Sequence, residues 1–263
     1  MKIIRIVIFI ALLTPFLKGC SLLDSTESNS LTDNEIIEGL KTALLVGTDS
    51  SVSIVSSING FYKDEAIKIL LPPEAQIIYA NKDNVLFKTI GLDKKLEDAI
   101  MAINYAAEDA SKEAAPIFKS AITNMSVSDG WAILNGTNPA AGLKTSGFDS
   151  TAATAYLRST TNSQLSAAFS PKVNASLDKK LVGNFSPNEI WGTLTSSYNT
   201  VANKTMGIIE PVKTTDLGAY VTEKALDGLF YKVSLQEKKI RKDPMKWAGT
   251  AVGDILQRVF RNS

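Results

Sequence analysis

The 263-residue chain contains no histidine and a single cysteine. Without imidazole, Ser-His-Asp and Cys-His catalysis, histidine general bases and histidine-ligated zinc are excluded, as is the usual proton switch near neutral pH. One cysteine also excludes an intramolecular disulfide framework. An excess of one charge is lacking too: 28 Lys+Arg stand against 27 Asp+Glu. A nucleic-acid binder usually carries a marked basic excess, so no nucleic-acid partner is expected. What is present, 44% hydrophobic and 21% charged residues, is the composition of an ordinary globular chain. Its carboxylates, lysines and tyrosines are the available catalysts, and none stands at a diagnostic spacing.

The amino end reads as an address. Lys2 and Arg5 precede an apolar run over 6–13, followed by Pro15, Gly19 and Cys20, the three-part shape of a secretory signal. The run falls short of the roughly 20 residues needed to cross a bilayer core, so cleavage is the preferred reading. Leu17 and Gly19 ahead of Cys20 resemble the bacterial lipobox, although Lys18 departs from its pattern. That resemblance implies removal of a signal peptide over 1–19 and lipidation of Cys20, whose acyl chains would hold the domain at the membrane. A plain secretory signal with a free Cys20 thiol, or an uncleaved anchor, is the alternative. Cleavage would leave 25 basic against 27 acidic residues. Ser21, where an inner-membrane retention signal would place Asp, points to the periplasmic face of the outer membrane. Residues 20–31, rich in Ser, Asp, Glu and Asn, read as a flexible tether.

From 32 to 263 the apolar periodicity predicts one all-α domain, a compact multi-helix bundle. Thr32 and Glu35 have capping-box spacing, and Ile37, Leu40, Leu44, Ser51, Val55 and Ile58 form a stripe up to a turn at Asn59-Gly60. Gly47 marks close helix contact or a bend. Residues 61–74 read as a short extended stretch lying across helices, with a helix to follow over 74–80. A helix from Asp93 carries Leu96, Ile100, Ile103, Ala107 and Ala110; Pro116 restarts the path, and Ser126 or Ser128 caps a brief helix. Residues 136–147 are a loop. Asp149 or Ser150 opens a further helix, and Pro171 is read as starting another. Ser186, Pro187 and Glu189 give the strongest start signal, with Ile190, Leu194, Tyr198 and Val201 as the buried face beyond it. A helix from about Thr215 ends in EKKIRK, and Asp243-Pro244 caps a last one.

No cofactor or metal is expected. Glu97-Asp98 and Glu108-Asp109-Glu113 flank the stripe of their helix and read as solvated faces. The EKKIRK run is read as a helix end in preference to a lipid contact. Gly249 and Gly253, at small-xxx-small spacing, suit tight packing in a core. Arg158, in an otherwise small and apolar helix, and Asp227, between apolar residues, would each need a partner if buried. Either the two form a structural lock, the preferred reading, or they line a polar spot in an apolar pocket.

Four stretches, FYKDEAIKILLPPE at 61, AAPIFKSAITNM at 114, AATAYLRSTT at 152 and YVTEKALDGLFYKVSLQEKKIRKDP at 220, resemble the bacterial domain-of-unknown-function family numbered 4197. The similarity covers about residues 35–260. It implies an exported or lipoprotein helical domain and brings no activity with it. The leading expectation is a lipid-anchored, periplasm-facing protein that binds an envelope protein or an apolar ligand. A hydrolase or lyase using carboxylates, lysine or tyrosine, and a purely structural envelope protein, are the alternatives.

Overall fold

The computed structural model describes residues 32–75, 92–139, 147–180, 184, 186–204, 211 and 213–243. Contacts divide the chain into two units, Met1–Ser30 and Leu31–Ser263, and every described residue belongs to the second. The signal, the tether, the helix expected over 74–80 beyond residue 75, and the last helix with Gly249 and Gly253 lie outside the described residues.

All the regular structure among the described residues is helical. Helix α1 (Asp33–Ser56) starts as its sequence dictates: Thr32 Oγ1 accepts the Glu35 N–H, and Glu35 Oε2 accepts the Thr32 N–H. Its stripe is buried from Ile37 to Val55. Ile58, expected to continue it, is 85% exposed, because the helix ends at Ser56 and Asn59 turns the chain with a φ of 64°. Gly47 lets α1 approach helix α7 (Leu217–Lys242): a Cβ there would lie 3.3 Å from Ile240 Cδ1.

Helix α2 (Leu92–Ser111) buries Ala102, Ala106 and Ala110 beside Ile100 and Ile103. The helix packs most extensively against α5 (Ala152–Leu177). Between them in sequence come α3 (Ala114–Thr123), with Phe118 and Ile122 fully buried, and α4 (Val127–Leu134), capped by the Ser126 side chain. The loop that follows draws its ends together, with Gly136 at positive φ accepting the Asp149 N–H at 2.9 Å.

Helix α5 buries Ala153, Leu157, Thr161, Leu165, Phe169, Val173 and Leu177, an unbroken row at steps of four. The row runs straight past Pro171, which begins no new helix. Pro171 is exposed, and so is Ala167, the residue whose carbonyl its ring frees. The proline thus falls on the outer face of the helix, and the buried face is undisturbed.

Helix α6 (Pro187–Lys204) opens with the expected reciprocal bonds between Ser186 and Glu189. Among its described side chains Pro187, Trp191 and Thr195 are buried, whereas Ile190 is half-buried. The Trp191 indole N–H donates to the Thr214 carbonyl, which turns Trp191 inward beside the expected Ile190. The side chains of Leu194, Tyr198 and Val201 lie outside the described residues. Helix α7, capped by Asp216, runs beside α5 and α1 and closes the bundle, its Phe230 meeting Phe118 edge to face at 5.7 Å.

Candidate functional site

Residues 59–70 make a strap without regular helix or strand that crosses α2 and α7. A buried segment without a hydrogen-bonded ladder needs side chains to satisfy its backbone. Glu108 of α2, only 6% exposed, accepts the N–H groups of Asn59, Phe61 and Tyr62 at 3.1 to 3.2 Å. Asn104, one helical turn earlier, accepts the Ile69 N–H and donates to the Ile69 carbonyl, both at 2.8 Å. Asp64 accepts the Ala66 N–H within the strap and pairs with Lys232 of α7. Gly228 permits the contact from below, since a Cβ there would stand 2.5 Å from the buried Phe61 ring. The strap is thus fixed in one conformation by groups from two helices.

Against α7 it leaves an open groove of about 410 Å³. Residues 66–70 form one wall, and Tyr220, Lys224, Asp227, Gly228 and Tyr231 the other. Leu70 (55% exposed) and Tyr231 (44%) present apolar surface at its mouth. The Tyr220 hydroxyl donates to the Leu70 carbonyl at 3.3 Å, joining the two walls at one end. Exposed apolar and aromatic groups on a rigid support, with a few polar groups among them, are what a binding surface requires.

The structure places Arg158 and Asp227 in contact, an ion pair between α5 and α7, and Lys224 Nζ reaches the second Asp227 oxygen at 3.4 Å. The pair is solvated, with side chains 47% and 39% exposed. The cost of a buried charge does not arise there. The guanidinium also lies 5.2 Å from the centroid of Phe230. Three of the stretches that carry the family resemblance meet here: residues 61–74 and 220–244 build the walls, and 152–161 supplies Arg158. Cys20 lies outside the described residues. Among those residues no group of three or more His, Cys, Asp or Glu could hold a metal ion, and no helix is long and apolar enough to cross a membrane.

The acidic residues of α2 and Glu113 just beyond it, expected on solvated faces, divide between surface and core. Glu97, Asp109 and Glu113 do sit at the surface, bonded to Tyr62, Lys112 and Lys172. The Lys112 ammonium lowers the Asp109 pKa through its hydrogen bond, which outweighs desolvation. Glu108 is buried, turned inward by the three strap amides. Glu237, the first residue of EKKIRK, is likewise 6% exposed. It accepts the N–H groups of Ala153 and Thr154 and the Thr154 hydroxyl at 2.7 to 3.0 Å, capping α5 from another helix. Arg241 clasps Glu237 at 2.8 Å and donates to the Ile133 carbonyl at 2.9 Å. Part of the basic helix end is therefore a structural brace. The local signal for both glutamates was thin: Glu108 follows the buried Ala107, and Glu237 lies one turn beyond the buried Val233, each beside a buried stripe.

These features define a class: an all-helical bundle whose surface groove is built by a strap fastened through side chains. The chain belongs to the family described as Protein of unknown function (DUF4197), whose model matches residues 30–261. No curated protein and no solved structure matches the chain.

Proposed function

We propose that this protein is a lipid-anchored binding module of the bacterial cell envelope, facing the periplasm, that takes a segment of a partner protein in the groove between the strap and α7. The observation that carries the reading is the exposure of Leu70 and Tyr231 at the mouth of a groove whose walls are held by Glu108, Asn104 and Lys232. An open groove of mixed character suits a polypeptide segment better than an enclosed apolar ligand. The alternative of carboxylate-based hydrolysis loses its two most buried candidates among the described residues, because Glu108 and Glu237 are occupied by backbone donors. Support for the anchor comes from the short apolar run and from Gly19-Cys20.

Two experiments test the proposal. Metabolic labelling with an alkynyl fatty acid should tag the wild-type protein and leave Cys20→Ser unlabelled; equal labelling of both would remove the anchor. A photocrosslinking residue at position 70 or 231 should give one discrete protein adduct in cells, and a residue at 112, outside the groove, should not. Indistinguishable patterns at the three positions would remove the groove as a binding site.

A further inference from the structure

Charge is unevenly distributed about the groove. Asp227 is its one lining carboxylate among the described residues, and it is shared, one oxygen with Arg158 and the other with Lys224. Glu223 reaches Lys224 only at 4.0 Å and is itself 71% exposed. On the opposite wall the Lys68 ammonium lies 4.6 Å from the Tyr62 ring centroid and pairs with no carboxylate among the described residues. A ring face holds a cation in place without neutralising it. Two cations, Lys68 and Lys224, therefore line the groove with a single carboxylate, Arg158 meets that carboxylate from α5, and the exposed Leu70 and Tyr231 side chains lie at the same groove.

We infer that the partner segment is acidic: a linear stretch whose carboxylates meet Lys68 on the strap wall and Lys224 on the helix wall, with Arg158 of α5 adding its charge through Asp227, while an apolar side chain lies on Leu70 and Tyr231. The inference rests on the binding reading above and adds to it the sign of the partner's charge. Lys68 is already stacked on Tyr62, so less side-chain freedom is lost when a carboxylate arrives. A basic segment would meet like charge on both walls, which disfavours it.

The adduct formed through position 70 or 231 decides the matter once its crosslinked segment is sequenced by mass spectrometry. An acidic segment is expected, with adduct yield at least fivefold lower in the Lys68→Glu, Lys224→Glu double variant. Replacing the segment's carboxylates by lysines should restore the yield in that variant. Circular dichroism establishes that the variant is folded. A neutral or basic segment, or a yield indifferent to the charge reversal, overturns the inference and leaves the groove reading standing. Crosslinking to anionic lipid in place of protein, or no adduct at either position, overturns both.

Discussion

Asn104 completes the backbone of Ile69 on both sides, accepting its N–H and donating to its carbonyl at 2.8 Å, while the same side-chain nitrogen also reaches the Ile100 carbonyl at 2.7 Å. One amide thus does for the strap what a neighbouring strand would do in a sheet. Asn104→Leu, close in shape, strands both buried backbone groups and should cost about 2–4 kcal/mol. Urea unfolding checks this as a lower midpoint at an unchanged slope.

Two glycines should respond in opposite directions. At Gly228 an added methyl meets Phe61 at 2.5 Å and Ile67 Cβ at 3.2 Å. Gly228→Ala should therefore lift the strap and destabilise by about 1–3 kcal/mol. At Gly192, exposed within α6, a Cβ meets nothing within 4 Å. Gly192→Ala should stabilise by about 0.5–1 kcal/mol through helix propensity alone. Thermal unfolding of the two variants side by side gives both signs.

Removal of the Glu237 carboxylate leaves the first amides of α5 without an acceptor and Arg241 without its counter-charge. Glu237→Ala should cost about 3–5 kcal/mol. Glu237→Gln, which keeps one acceptor oxygen, should cost less. Hydrogen exchange should localise the loss to the amides of Ala153 and Thr154.

The Arg158–Asp227 pair is solvent-exposed, and its loss should be mild. Asp227→Asn is expected to change stability by less than about 1 kcal/mol. The same substitution frees two cations beside the groove, so the yield of partner adduct at position 70 should rise. A fall in yield would show that Asp227 itself is a contact.

Tyr156 contributes to the alkaline response. Burial first, and the nearby Asp129 carboxylate second, raise its pKa above 10.0. In the unfolded chain the phenol ionises near the ordinary value, whereas in the folded protein it resists. Its contribution is therefore intact below about pH 10 and is lost as pH rises from there through the raised value. The urea midpoint of Tyr156→Phe relative to wild type should shift in favour of phenylalanine between pH 8 and pH 11.

Signals that act within one turn were legible. Thr32 with Glu35 and Ser186 with Glu189 close the helices that their spacing announces, because cap and recipient lie three residues apart, and of the two serines offered for α4 it is Ser126 that accepts the Asp129 N–H. The stripe of α1 was legible as far as Val55 for a similar reason, since periodicity reports burial directly. Glu108 and Glu237 were not. Their partners lie 46 to 49 and 83 to 84 residues away, and no local pattern separates a carboxylate that faces water from one that faces a cluster of amides. Pro171 misled because a proline within a helix costs little where the carbonyl it frees is exposed. Arg158 and Asp227 stood out as charges in apolar surroundings, a pattern that does not reveal how far the long side chains extend into solvent.

The cap that Glu237 places on α5 bears on the order in which the chain can fold. A helix usually closes its first turn with a residue just before it; here the acceptor lies 84 residues downstream of Ala153. A chain made amino end first therefore presents α5 with its opening amides unmet until α7 arrives. That distant closure argues for late, concerted assembly, with the start of one helix and the end of another reaching their native state together.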